Sequence, residues 1–210
     1  MTRVIVIRHG ETEWNQINRY QGQLDSALTE RGRQQAERVG RRLAEEPFDV
    51  LYSSDLGRAV DTAKAISGAC GGREIQTDTN LRERHFGILG GLTRSEARAR
   101  HPVEEQGYLH GGPDYRIPDG ESLRDVYLRV VSGLDAICER HAGQRIAVVT
   151  HGGVLGMLFR HAVGLSLEAP RYYRFFNASF NEFEYQNGQW VLATWGDVAH
   201  LRDIGTDDDM

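Results

Sequence analysis

The sequence predicts an α/β fold: a three-layer αβα sandwich on a mostly parallel sheet, with an antiparallel element at the C-terminal end. Three observations carry that expectation. Short, continuous apolar runs such as Val4 to Ile7 and Ile146 to Val149 read as strands covered on both faces. Between such runs the apolar spacing switches to three and four, as at Ala36, Val39 and Leu43, which is the period of a helix packed on a sheet. Near the C-terminus, Asn187-Gly188 divides two strand-like runs, the pattern of a tight hairpin turn.

Each element follows in order. Val4 to Ile7 is the first strand, and a helix starts near Thr29, whose hydroxyl suits an N-cap. Phe48 to Tyr52 reads as the second strand. Leu56, Ala59, Val60, Ala63 and Ile66 keep helical spacing, and Ile75 marks a short strand before the irregular stretch LRERHFGILGG. From Thr93 to Glu121 the pattern loosens around Pro102, Pro113 and Pro118, so a long, lid-like connection with one short helix near Ser95 is expected. Ser122 and Asp125 form a capping box ahead of Leu123, Val126, Tyr127, Val130, Leu134 and Ile137, an amphipathic helix. Ile146 to Val149 is the next strand, a helix from about Val154 to Val163 follows it, and the hairpin closes the chain.

The 210 residues contain no repeat and no Pro-, Gly- or Ser-rich linker, so a single domain over 1–210 is expected, with its acidic tail from about 203 disordered. A formal net charge of −5 argues against a nucleic-acid partner, which would want a basic face. Apolar runs of only a few residues provide neither a membrane span nor a signal peptide's apolar segment, which makes a cytoplasmic location the default. Cys70 and Cys138 lie far apart in helical patterns and read as packing residues. Whether copies assemble into a homo-oligomer is left open.

The stretch VIVIRHG ends an apolar run on a charge, an imidazole and a glycine, and IAVVTHGG repeats the arrangement. His9 and His151 therefore fall at the carboxyl ends of strands, where open α/β sheets form their ligand crevice. One such histidine fits a structural role as well as a chemical one; the matched second copy shifts the balance toward chemistry. Metal ligation is disfavoured because HExxH, His-x-His and CxxC are missing and Arg8 adjoins His9, so neither a metal nor another cofactor is expected. Arg8 and Arg58 instead suit an anion. Arg58 falls in the first turn of its helix, where the macrodipole opposes a cation unless a negative group sits there, and a phosphate would satisfy both guanidiniums and the Asn15 amide.

Taken together, RHGE at 8–11, RYQG at 19–22, LTERG at 28–32, YSSDLGRAVDTA from Tyr52, LRERHFG from Leu81, DGES from Asp119 and VTHGG from Val149 resemble the histidine phosphatase superfamily, which contains cofactor-dependent phosphoglycerate mutases and many small phosphatases. The resemblance runs in family order from about residue 3 to 185 and implies a phosphoglycerate mutase-like fold. It implies that His9 is the nucleophile, that Arg8, Arg58 and His151 hold phosphoryl oxygens with Asn15 in a lesser contact, that Glu83 is the general acid and base, and that Gln21 and Gly22 line the substrate pocket. For that chemistry His9 must be neutral. Arg8 beside it would disfavour a second cation, and Gly10 would remove bulk next to the ring. Glu83 must carry a proton when the alkoxide leaves.

Mutase relatives carry a longer insertion with paired arginines where this chain has Thr93 to Ser122. Here that stretch sets four arginines against six carboxylates, which favours hydrolysis of a small phosphorylated metabolite. A phosphoglycerate mutase dependent on 2,3-bisphosphoglycerate is the alternative, and a non-catalytic phospho-ligand binder the second. His85 is a candidate pocket residue, and Arg116, Tyr108 and His110 candidate caps on the substrate. The aromatic run RYYRFFNASF at 171–180 reads as packing, with Asn177 and Ser179 placed to brace the active-site strands.

Overall fold

The computed structural model describes residues 1–205. Its six-stranded sheet comprises β1 (Thr2–Arg8), β2 (Val50–Ser53), β3 (Ile75–Thr77), β4 (Arg145–Thr150), β5 (Phe180–Gln186) and β6 (Gln189–Asp197), in the order β3-β2-β4-β1-β5-β6. The pairs β3-β2, β2-β4 and β4-β1 are parallel, and β5 joins β1 antiparallel before turning into β6. Asn187 and Gly188 both adopt positive φ, 52° and 79°, as the tight turn between β5 and β6 requires.

Period-two alternation in β1 sorts the core into two layers. Val4 and Val6 pack with Val126, Val130 and Leu134 of α6 (Leu123–Arg140) and with Leu155 and Leu158 of α7 (Gly152–Val163). Ile5 and Ile7 face the other way, onto Val39 and Leu43 of α2 (Glu30–Glu45) and Ala59, Ala63 and Ile66 of α3 (Gly57–Ala69). This is the three-layer sandwich expected from the sequence. The remaining helices are α1 (Glu13–Gln16), α4 (Arg94–Arg100) and α5 (Pro102–His110). Among the described residues, no helix is long and apolar enough to cross a membrane.

Thr29 caps α2 by accepting from the Gly32 N–H, and Ser122 with Asp125 forms the expected capping box on α6. The connection from Thr93 departs from expectation because it holds two helices. Pro102 occupies the first turn of α5, where its missing N–H is no loss, so it begins a helix where the sequence suggested an interruption. Only Glu105 of α5 is buried, which is why no apolar period announced it. Of the expected disordered tail, 203–205 continue the turn after Leu201 and Asp203 pairs with Arg38 at 3.4 Å; 206–210 lie outside the described residues.

Candidate active site

The parallel pairing of β1 with β4 brings the two histidines together. Arg8 stands opposite Thr150, and the His9 N–H donates to the Thr150 carbonyl at 2.9 Å, so both chains leave the sheet at the same level. The His9 and His151 ring centroids are 5.2 Å apart, and both residues are buried.

The His9 tautomer follows from its partners. Nδ1 lies 2.7 Å from the Gly10 carbonyl, which only accepts, so Nδ1 carries the proton. Nε2 keeps its lone pair and accepts from Arg58 Nε at 3.3 Å. Burial holds the His9 imidazole well below its ordinary pKa of 6.5, and the charges of Arg58 and then Arg8 push the same way. Neutrality thus has the expected sign, with burial rather than Arg8 as its main cause. Gly10 has a different role from the one expected: a Cβ there would strike the Gly32 carbonyl, so it lets the His9 loop lie against the start of α2. His151 is also held well below 6.5, first by burial and then by Arg58. Its Nε2 lies 2.8 Å from Ser54 Oγ, and its buried Nδ1 has no partner among the described residues.

The loop is clamped from the opposite side by the segment that the aromatic run conceals. Asn177 Nδ2 donates to the His9 carbonyl at 2.9 Å, the Ala178 N–H donates to the Arg8 carbonyl at 2.9 Å, and Arg8 Nη1 donates to the Phe175 carbonyl at 2.5 Å. Ala178 makes its bond at φ 53°, a left-handed conformation that costs a non-glycine residue about 1 kcal/mol. Asn177 therefore braces the site as expected; the Ser179 hydroxyl instead meets the Asn181 amide at 3.1 Å.

Arg58 is 2% exposed. Its guanidinium donates to the Gly22 and Leu24 carbonyls at 2.7 and 2.8 Å and to Asp25 at 3.1 Å, and its backbone N–H reaches the same carboxylate. Asp25 is the negative group at the α3 N-terminus that sequence reasoning assigned to phosphate alone. No periodicity points to it, because it reaches across from a loop 33 residues away.

Glu83 stands on a stretch without regular structure between two short 3-10 turns, 79–81 and 87–89. Its Oε2 accepts from the Gly153 N–H at 2.9 Å and its Oε1 from the Arg84 N–H at 2.7 Å. A Cβ on Gly153 would collide with the Glu83 carboxylate, which explains the second glycine of VTHGG. Neighbouring guanidiniums are engaged elsewhere: Arg82 forks onto Asp55, and Arg84 donates to the Glu121 and Tyr115 carbonyls.

These groups open onto one cavity of about 430 Å³, within the range of metabolite-sized sites. Arg8, His9, Asn15, Gln21, Gly22, Arg58 and Glu83 all line it, while His151 lies beside His9 without reaching the wall. Asn15 Oδ1 accepts from the Thr12 N–H at 3.0 Å as part of the α1 cap. Of the candidate caps, Tyr108 reaches the wall; Arg116 pairs with Asp125 and His110 is exposed at the end of α5. His85 is not on the wall either, because its Nδ1 accepts from the Gly87 N–H.

Five further arginines that the motifs did not single out complete the wall: Arg19, Arg84, Arg94, Arg160 and Arg171, interleaved with Trp14, Tyr20, Phe86, Tyr108, Tyr173 and Phe175. These arginines come from five separate places in the chain, so no local charge count registers them. The acidic balance of 93–122 accordingly does not describe the cavity, to which that segment contributes only Arg94 and Tyr108. Among the described residues, Glu83 is the one carboxylate on a wall with seven arginines. Among the described residues, no group of three His, Cys, Asp or Glu side chains is disposed to hold a metal ion.

Residues 4–198 match the family model of the histidine phosphatase superfamily, branch 1. Among curated relatives, phosphoglycerate mutase-like protein 4 of Arabidopsis thaliana is 42% identical over 96% of this chain and 88% of its own length. The metal-independent phosphoserine phosphatase of the same organism is 37% identical over 98% of this chain and 85% of its own. Among solved structures, Bacillus stearothermophilus YhfR superposes with a TM-score of 0.88 at 36% identity, covering 96% of this chain and all of that one.

Proposed function

Because the chain belongs to the histidine phosphatase superfamily, we propose that it is a metal-independent phosphomonoesterase that hydrolyses a small phosphorylated metabolite through a phosphohistidine. The observation that carries this reading is the His9 tautomer: a buried, neutral imidazole with its proton on Nδ1 and its lone pair on Nε2, beside two arginines at the floor of a metabolite-sized cavity.

His9 Nε2 attacks phosphorus in line, forming the N–P bond as the bond to the ester oxygen breaks. Phosphoryl transfer has a loose transition state, so in-line positioning and charge on the equatorial oxygens supply most of the acceleration. Arg8 and Arg58 provide that charge, with the His151 Nδ1 hydrogen as a further donor when the Ser54 hydroxyl donates to Nε2. Glu83 hands its proton to the departing alkoxide, then takes one from the water that attacks phosphohistidine. Inorganic phosphate leaves and His9 returns to its neutral form. The cationic wall suits a substrate that carries a carboxylate besides its phosphate, as the phosphoserine named for one relative does.

The seven arginines on the wall favour one second reading, a phosphoglycerate mutase, which must hold an anion at both ends of its substrate. Hydrolysis is preferred because 93–122 brings no arginine pair to the cavity, leaving the phosphoenzyme without the shield a mutase needs. The test supplies 3-phosphoglycerate with a trace of its bisphosphate, and in parallel a panel of phosphomonoesters including phosphoserine. Phosphate release with rapid-quench trapping of an acid-labile label on His9 is the expected result. Isomerisation much faster than release overturns the phosphatase reading, and turnover without a labelled enzyme overturns both.

A further inference from the structure

A general acid must reach its proton acceptor within hydrogen-bond distance, yet Glu83 lies on a stretch that no helix or strand holds in place. Two residues from elsewhere grip that stretch. Arg129 of α6 donates through Nη1 to the Asn80 and Arg82 carbonyls at 2.8 and 2.9 Å and through Nη2 to the Glu83 carbonyl at 3.4 Å. The same guanidinium forks onto Glu121, with Nε and Nη2 each 3.0 Å from a carboxylate oxygen. Glu121 then grips the other side: its Oε2 accepts from the His85 N–H at 2.8 Å, its own N–H donates to the His85 carbonyl at 3.0 Å, and its carbonyl accepts from Arg84 Nε at 3.0 Å. Each residue from Arg82 to His85 is tied, and the acid sits between the ties.

We propose that the Arg129–Glu121 pair is a positioning device for Glu83, setting the reach of its carboxyl toward the leaving-group oxygen. This rests on the reading of Glu83 as general acid and gives the pair a share of one step, proton delivery. Arg129 does not line the cavity, and neither residue contacts Arg8, Arg58 or His9 in any hydrogen bond described above. Only the planar fork of an arginine serves three carbonyls and a carboxylate at once, so lysine replaces part of the grip. The side chains are 19% and 20% exposed, shielded enough to hold one geometry.

Leaving-group dependence tests this. An alkoxide leaves only with a proton, whereas 4-nitrophenolate leaves without one, so a displaced acid harms phosphoserine and spares 4-nitrophenyl phosphate. Rapid-quench rates of phosphohistidine formation are compared for both esters in wild type, Glu83→Gln, Arg129→Gln, Arg129→Lys and Glu121→Gln, with thermal unfolding as the folding control. Glu83→Gln is expected to slow the alkyl ester by ~10²–10⁴-fold and the aryl ester far less. Arg129→Gln repeats that selectivity at about 10–10²-fold on the alkyl ester, within the reach of a misplaced acid, and Arg129→Lys recovers part of it. Glu121→Gln, nearly isosteric, gives the same pattern at smaller size and carries the test if Arg129→Gln does not fold. Equal slowing of both esters by the Arg129 and Glu121 variants, which is what a lost charge near His151 or a loosened fold would produce, overturns the inference. Equal slowing by Glu83→Gln removes the acid role itself, and the positioning role falls with it, so the two failures are told apart.

Discussion

The ends of β1 and β4 are nearly the same in sequence, IRHG and VTHGG, and lie side by side in register, yet the structure equips them differently. At the β1 end, Arg8 turns toward the 175–178 segment, and His9 lines the cavity with its Nε2 lone pair accepting from Arg58. At the β4 end, Thr150 sends its hydroxyl to the Leu81 carbonyl at 2.7 Å, and His151 lies beside His9 with Nε2 on Ser54. On the proposed reading one end presents the nucleophile, and the other supports it while anchoring the stretch that leads to Glu83. A strand-end histidine is thus a position, and its tertiary partners decide what it does.

The largest expected effect separates the two ends. His9→Ala abolishes the phosphoenzyme label and lowers turnover by roughly 10⁴-fold or more, the scale of losing a nucleophile. His151→Ala keeps the label and slows its formation by about 10²–10³-fold, the scale of one lost oxyanion donor. A label that survives in His9→Ala and vanishes in His151→Ala reverses the assignment.

Thr150→Val sharpens the comparison on the structural side. It removes the donor to a buried carbonyl and is expected to lower the unfolding free energy by about 1–3 kcal/mol, read by urea denaturation. Its rate loss falls on the alkyl ester more than on 4-nitrophenyl phosphate, since Leu81 leads into the acid's stretch.

Acidity gives a smaller, graded effect. Both imidazoles are held well below 6.5 in the folded chain, so on acidification the unfolded chain takes up protons first. The stability they contribute is present above about pH 6.5 and is lost as pH falls from there through their folded pKa, at up to ~1.4 kcal/mol per pH unit for each ring. Melting temperatures measured between pH 7 and 5 should therefore drop, and His151→Gln should flatten one share of that drop. An unchanged slope in His151→Gln would mean that His151 is not held neutral.

Much of this was legible along the chain. Periodicity located both core layers, a capping box located α6, and motif order placed His9, Arg8, Arg58 and Glu83, all of which line one cavity. Other features left no local trace: α5 because its buried surface is a single glutamate, Asp25 because it caps a helix 33 residues away, and the arginine wall because its members are scattered along the chain.

By itself, then, the sequence determined the alternation of strands and helices, the two strand-end histidines and the types of group offered to an anion, since these depend on spacing within a few residues. Only the tertiary structure decided that His9 carries its proton on Nδ1, that burial more than Arg8 keeps it neutral, and that Glu83 is gripped by Arg129 and Glu121. The physical reason is common to all three. Desolvation and hydrogen-bond geometry depend on which atoms meet across the fold, and those meetings are fixed when the sheet and its covering helices close around them.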